Sequence, residues 1–95
     1  MISVETTRRR EHDMEELDGR TALVTGASGG IGAAVARSLA DHGVRVGLAS
    51  RSGADLGIAG AVAAPCDVRD PAAIDALVEK VVERFGGLDI LVANA

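Results

Sequence analysis

The sequence predicts an α/β fold, a doubly wound parallel sheet with helices on both faces. From residue 21 onwards, short apolar runs alternate with helical patterns. The first run, at 21–25, is uniformly apolar at its centre, which is typical of a strand covered on both faces. Strand–helix–strand units of this kind connect through right-handed crossovers, so their strands lie parallel in one sheet. Counting strands from that run, we expect the order 3-2-1-4.

The first helix is predicted at 31–42, between strands at 21–25 and 44–49. Gly43 follows it and supplies a left-handed C-terminal stop. Spacings of three and four predict its buried face, which consists of Ile31, Ala34, Val35, Ser38 and Leu39.

The second helix has clear signals at both ends. Asp70 is its expected N-cap, and Pro71 follows at the first helical position, where a missing N–H costs nothing. Gly86 ends it. A third strand at 61–64 precedes this helix, and a fourth strand at 88–93 follows it. The predicted buried face consists of Ile74, Leu77, Val78, Val81 and Phe85.

The chain divides into a leader and a folded portion. Residues 1–18 are charged and lack a sustained apolar period, so we expect a flexible N-terminal leader. Residues 19–95 form an incomplete domain. In the expected order the fourth strand is an edge, yet 90–93 is apolar, with no charge or proline to protect it. We therefore expect another strand beside it.

Composition argues against several classes of protein. The net charge is -4 and Phe85 is the single aromatic, whereas nucleic-acid binders present basic faces or stacking aromatics. Cys66 is the only cysteine, which fits a reducing cytosol, and neither histidine has a partner at metal-ligand spacing. The uncharged runs at 21–36 and 56–66 are both too short to span a bilayer. We expect a cytoplasmic protein without a metal, nucleic-acid or membrane partner.

Glycines dominate the turn between the first strand and the first helix. Gly26, Gly30 and Gly32 give the spacing G-x-x-x-G-x-G. A helix N-terminus offers unpaired N–H groups and a partial positive charge, both of which favour phosphate. Glycines let the backbone approach a pyrophosphate, and the last one lets the helix pack closely on the strand. On the glycines alone, a turn without a ligand remains an alternative.

The end of the second strand bears on which dinucleotide would bind. In dinucleotide-binding units this position meets the adenosine ribose, where a carboxylate favours NAD and a nearby arginine accommodates the 2′-phosphate of NADP. Here Ser50 ends the strand and Arg51 and Ser52 follow, with no acid. A guanidinium pairs with phosphate bidentately, and the serines add hydroxyl donors. The pattern favours NADP over NAD, with a solvated loop arginine as the alternative.

With the preceding threonine, residues 25–32 read T-G-x-x-x-G-I-G, which resembles the cofactor loop of the short-chain dehydrogenase/reductase family. The resemblance covers residues 21–95 and implies a Rossmann-type fold. It places Asp67-Val68 against the adenine and Asn94 where it braces the sheet and lines the cofactor crevice. Two departures are Ala93, where the family has asparagine, and Gly29, where NADP-using relatives often have a second basic residue. The expected cofactor-binding residues are Gly26, Ser28, Gly29, Gly30, Ile31, Gly32, Ser50, Arg51, Ser52, Asp67, Val68, Asn94 and Ala95.

The resemblance implies hydride transfer between NADP and a carbonyl or alcohol substrate. The family uses a catalytic tyrosine, a lysine four residues on, a serine and a further asparagine. This chain has no tyrosine, and its only lysine is Lys80. We therefore expect no catalytic residue here, and interpret the chain as the cofactor-binding part of a longer, homo-oligomeric reductase. The alternatives are a nucleotide-binding fragment without catalytic activity, or another Rossmann-type enzyme such as a nucleotide-sugar epimerase or a methyltransferase.

Overall fold

A five-stranded sheet forms the centre of the molecule. The computed structural model describes residues 2–6, 17–27 and 29–94. Its strands are β1 (Ile2–Thr6), β2 (Thr21–Thr25), β3 (Arg45–Ser50), β4 (Val62–Pro65) and β5 (Ile90–Asn94). The helices are α1 (Gly30–Asp41) and α2 (Pro71–Phe85). The sheet order is β1-β5-β2-β3-β4, and the four strands from β2 onwards are parallel. Counted from β2, this is the predicted order 3-2-1-4.

The two faces of the sheet carry separate hydrophobic clusters. Ala22 and Val24 of β2 pack in one cluster with Ala36 of α1. Leu23, between them, packs in the other cluster with Leu77 and Val81 of α2. Because successive residues of a strand point to opposite faces, each helix covers one face. The doubly wound arrangement predicted from the sequence is confirmed.

Helix α2 begins and ends where its local signals predict. The Asp70 carboxylate accepts a hydrogen bond from the backbone N–H of Ala72 at 3.0 Å, and Pro71 is the first helical residue. At the other end Gly86 adopts the left-handed conformation (φ 86°) and its N–H donates to the Val82 carbonyl at 2.7 Å. Leu77 and Val81 are buried, and the other three residues of the predicted face pack against them.

The predicted buried face of α1 is partly wrong. The structure buries Gly32, Ala33 and Ala36, while Ile31 is 62% exposed. Ala34 and Ser38 are exposed too, whereas Val35 and Leu39 pack against the cluster. Helical spacing alone ranks large apolar residues as the buried ones. Here the helix starts so close to the sheet that only small residues fit on the near side.

The N-terminal residues also depart from prediction. We expected residues 1–18 to be a flexible leader, and we expected another strand beside β5. In the structure the N-terminal segment itself supplies that strand, because β1 pairs antiparallel with β5, from Ile2 opposite Asn94 to Thr6 opposite Ile90. The physical reason is the one that predicted a neighbour for this edge, since the unpaired N–H and C=O groups of an apolar strand accept another strand. Residues 7–16 lie outside the described residues.

Candidate functional site

A pocket of about 260 Å³ lies at the carboxyl ends of the four parallel strands. Parallel sheets of this kind bind ligands at this edge, at the point where the strand order reverses. Here the order reverses at β2, because the chain adds β3 and β4 on one side of β2 and then crosses back to place β5 on the other side. The pocket is lined by Gly26, Ala49, Ser50, Arg51, Cys66, Asp67, Val68, Arg69 and Asn94.

The glycine turn after β2 needs its glycines for conformation and for space. Gly26 has φ +63°, and a Cβ there would lie 2.8 Å from the Asn94 carbonyl oxygen. A Cβ on Gly32 would overlap the Gly26 carbonyl oxygen and lie 2.7 Å from Asn94 Nδ2. Side chains at these positions would push α1 away from β2 and β5. The two glycines therefore set the close approach of the helix to the pocket.

The N-terminus of α1 has no cap from its own N-cap residue. That residue is Gly29, and the first turn of the helix contains no acidic side chain. A Cβ built on Gly29 or Gly30 would meet nothing within 4 Å, so the space in front of the turn is open. By contrast, Asp70 caps the N-terminus of α2. The first-turn N–H groups of α1 are thus the ones that a ligand can reach.

Asn94 ties the end of β5 to the glycine turn. Its side-chain Nδ2 donates to the Gly26 carbonyl oxygen at 3.1 Å. Its backbone N–H donates to Thr25 Oγ1 at 3.1 Å, and that hydroxyl donates to the Val92 carbonyl oxygen at 3.3 Å. These bonds join segments 67 to 69 residues apart in sequence. They hold one wall of the pocket in place.

The end of β3 forms a tight turn with an exposed arginine. Ser50 is 4% exposed, and its hydroxyl accepts from the Gly53 N–H at 3.1 Å. Its oxygen also lies 3.3 Å from Ser52 Oγ, which in turn accepts from the Ala54 N–H. Arg51 is exposed and lines the pocket. The Ser50 hydroxyl holds the turn that presents Arg51 to the pocket.

After β4, the side chain of Arg69 forms a bidentate salt bridge with the carboxylate of Asp67. Arg69 Nε donates to Asp67 Oδ1 at 3.1 Å, and Arg69 Nη2 donates to Oδ2 at 2.9 Å. The backbone N–H of Arg69 donates to Oδ1 as well, at 2.9 Å. The side-chain hydrogen bonds from Arg69, then its backbone N–H, lower the pKa of Asp67 to about 2, with a smaller contribution from the charge of Arg51. Asp67 therefore stays an anion further into the acidic range than an ordinary aspartate does.

Two of the lining residues, Ala49 and Cys66, are small and uncharged. Cys66 is buried, and its burial, together with the negative charges of Asp67 and Asp70, raises the pKa of the thiol. The neutral thiol therefore lines the pocket as a small apolar group, together with Ala49. Among the described residues no three acidic, histidine or cysteine side chains are grouped as metal ligands, and no described helix is long and apolar enough to cross a membrane.

The comparisons with known proteins identify the family. The model of the short chain dehydrogenase family matches residues 20–95, which is most of the chain. The chain belongs to the short-chain dehydrogenase family. An uncharacterized oxidoreductase of Staphylococcus haemolyticus is 45% identical over 86 residues, covering 83% of this chain and 37% of the relative.

Two solved structures share the fold. One is a short chain dehydrogenase from Burkholderia cenocepacia in complex with NADP, at 40% identity and TM-score 0.66 over 76% of this chain and 34% of that one. The other is a 3-ketoacyl-(acyl-carrier-protein) reductase from Brucella melitensis complexed with NADH, at 33% identity and TM-score 0.69 over 76% of this chain and 32% of that one. The chain spans only about a third of the length of each of these three proteins.

The structure brings together six of the residues that the short-chain dehydrogenase resemblance and the residue pattern predict. Those that line the pocket are Gly26, Ser50, Arg51, Asp67, Val68 and Asn94. The lining does not include Gly29, Gly30, Ile31, Gly32 or Ser52, which form the start of α1 and the turn after β3. Ser28 and Ala95 lie outside the described residues.

Three lining residues were not predicted. Ala49 and Cys66 are small apolar residues that sequence pattern does not distinguish from the rest of the core. Arg69 had a signal, because it stands two residues after an aspartate in a turn, a spacing that lets the two side chains meet. The bidentate hydrogen bonding of Arg69 to Asp67 is the main feature of the pocket that was not predicted from the sequence.

Proposed function

We propose that this chain is the cofactor-binding part of an NADP-dependent oxidoreductase of the short-chain dehydrogenase family. When bound, NADP exchanges a hydride with a small-molecule carbonyl or alcohol. The observation that carries this proposal is that Arg51, the Asp67 carboxylate and Gly26 line one pocket, and that the glycine turn beginning at Gly26 leads from there to the uncapped start of α1. Each of these groups suits a different portion of the dinucleotide.

The pyrophosphate would bind at the start of α1. The N–H groups of the first turn, from Gly30 onwards, point out of the helix N-terminus and have no acidic neighbour in that turn. A phosphate therefore gains hydrogen bonds and the favourable end of the helix dipole. Gly26 and Gly32 support this by bringing the helix close to the strand ends.

The 2′-phosphate would bind Arg51. Residue 50 is a buried serine whose hydroxyl is used within the turn, so no carboxylate stands at the end of β3 to hydrogen-bond the ribose of NAD or repel a phosphate. Arg51 is exposed beside the pocket, and Ser52 follows it as a second donor. Since the two solved relatives are complexed with NADP and NADH, these residues are the basis for proposing NADP.

The adenine would lie against Asp67 and Val68. The charged carboxylate of Asp67 accepts from the exocyclic amine, and the Val68 backbone contacts the ring. Val68 is 54% exposed and Ile31 is 62% exposed. A bound dinucleotide would cover both.

The hydride transfer itself requires groups beyond those in these residues. The 95 residues include no tyrosine, so they supply no phenol to act as the general acid or base. This favours a second candidate for the chain taken alone, a module that binds nucleotide without turning it over. Both candidates predict nucleotide binding, and only the first predicts oxidation of NADPH by the whole protein.

Calorimetric titration of the chain with NADPH and with NADH tests the proposal. We expect NADPH to bind at least about tenfold more tightly, because a charge-assisted hydrogen bond to a phosphate is worth about 1.5–3 kcal/mol. Arg51→Asp should remove that preference, whereas Arg37→Asp, an exposed arginine on α1 outside the pocket lining, should preserve it. Equal affinity of the unsubstituted chain for the two dinucleotides would refute the NADP assignment.

The cellular setting belongs to the same proposal. A single, free, buried cysteine suits a reducing compartment, and we propose that the protein is cytoplasmic. The family resemblance supports a homo-oligomer for the whole protein, which sedimentation measures directly.

A further inference from the structure

The Asp67 carboxylate is not a free acceptor in this structure. Its oxygen Oδ1 accepts two hydrogen bonds, from Arg69 Nε at 3.1 Å and from the Arg69 backbone N–H at 2.9 Å. Its oxygen Oδ2 accepts one, from Arg69 Nη2 at 2.9 Å. The guanidinium and the carboxylate thus form a two-bond fork, the geometry in which an arginine fixes both oxygens of an acid.

This arrangement leaves one defined place for another donor. A carboxylate oxygen has about two acceptor positions. Oδ1 has used both, whereas Oδ2 has one left. Asp67 and Arg69 both line the pocket, and the Asp67 side chain is 40% exposed, so a ligand amine can reach Oδ2. The fork therefore selects which oxygen recognises the ligand and holds it still.

The fork also extends the pH range in which the acceptor is charged. Its hydrogen bonds lower the pKa of Asp67, so the carboxylate stays an acceptor further into the acidic range than an ordinary aspartate does. Without the Arg69 side chain, only the bond from the backbone N–H of residue 69 to Oδ1 would hold the carboxylate, so a ligand would have to fix the position of Oδ2 on binding. Ordering a side chain at an interface costs about 0.5–1.5 kcal/mol.

We propose that Arg69 is a positioning residue for base recognition, which orients Asp67 so that Oδ2 accepts from the 6-amino group of adenine. The inference rests on the proposed function, because it assumes that an adenine dinucleotide occupies the pocket. The fork acts through Asp67 and not on the ligand. It should therefore discriminate adenine, which presents an amine at position 6, from hypoxanthine, which presents a carbonyl oxygen there and would be repelled by the carboxylate.

The test is calorimetric titration of the chain with NADPH and with its hypoxanthine analogue. The unsubstituted chain should prefer NADPH by about tenfold or more, the value of a hydrogen bond to a charged group. Arg69→Ala should lower the ratio of the two affinities severalfold. Arg69→Lys keeps the charge but not the two-bond fork, so its affinity ratio should lie between those of the unsubstituted chain and Arg69→Ala. The Arg69 side chain is 74% exposed, so these variants should fold, and Arg37→Ala is the matched control.

A double-mutant cycle separates positioning from direct contact. In an Asp67→Ala background the base preference should be lost, and adding Arg69→Ala should change neither affinity. A further loss of affinity when Arg69→Ala is added to Asp67→Ala would mean that Arg69 contacts the ligand directly, and would overturn the inference.

The other outcomes are equally decisive. A base preference that is unchanged or larger in Arg69→Ala would overturn the inference while leaving the proposed function standing, since the fork would then be irrelevant or competing with the amine. Failure of the unsubstituted chain to bind either dinucleotide would overturn the proposed function and this inference with it.

Discussion

Replacing Gly32 with alanine tests whether close packing of α1 on the glycine turn determines the stability of the fold. The added Cβ would overlap the Gly26 carbonyl oxygen and lie 2.7 Å from Asn94 Nδ2. Both neighbours belong to one hydrogen bond, from Asn94 Nδ2 to the Gly26 carbonyl, so neither can yield without breaking it. Because the Gly26 oxygen is a backbone atom, the strain would fall on the helix start itself.

The expected change in the free energy of unfolding follows from two destabilising effects and one stabilising effect. Overpacking of this kind costs about 1–3 kcal/mol, and the lost hydrogen bond costs about 0.5–1.5 kcal/mol. Alanine within a helix offsets about 1 kcal/mol, since it is a better helix former than glycine. The net loss in free energy of unfolding is about 2 kcal/mol, which for a chain of this length lowers Tm by about 8–16 °C.

Thermal and urea unfolding followed by far-UV circular dichroism measure this loss. The matched control is Gly87→Ala, because a Cβ at Gly87 meets nothing within 4 Å and its φ is not left-handed. That control should stay within about 0.5 kcal/mol of the unsubstituted chain. Because helix propensity alone predicts stabilisation at Gly32, a Gly32→Ala protein that melts at or above the unsubstituted Tm would refute the packing argument.

Two further predictions concern the segment between β4 and α2. The Asp67 carboxyl should titrate by NMR with a pKa of about 2, and Arg69→Ala should move that pKa up towards the ordinary value. An unchanged pKa in Arg69→Ala would contradict the assignment of the shift to Arg69. Because the pKa of Asp67 is lower in the folded state, the stability that Asp67 contributes is complete above the unfolded pKa and is lost as the pH falls through about 2. Asp70→Ala should lower the free energy of unfolding in urea by about 1 kcal/mol, because it removes the hydrogen bond from the Ala72 N–H that caps α2. Asp70→Asn keeps a capping oxygen and should retain most of that stability. Equal losses in the two Asp70 variants would count against the capping hydrogen bond.

Local signals predicted those parts of the molecule that depend on neighbouring residues. Asp70, Pro71 and Gly86 set the two ends of α2 because capping and proline geometry act over one turn of chain. The apolar runs predicted four parallel strands in the order observed, because crossover handedness leaves few alternatives. The residue pattern and the short-chain dehydrogenase resemblance then implied that Gly26, Arg51 and Asp67 would bind one cofactor.

Contacts between distant segments decided the rest. The sequence by itself determined the strand–turn–helix units, the parallel order and the residues at the strand ends, since these follow from local periodicity and backbone preference. Only the tertiary structure decided which face of α1 is buried, because the close approach at Gly32 admits small residues and leaves Ile31 outside. It also decided that β1 covers β5, and that Asn94 bonds to a turn 68 residues away. The Arg69 fork was likewise decided only by the tertiary structure. An exposed arginine has many rotamers, and the position of the Asp67 carboxylate selects one of them.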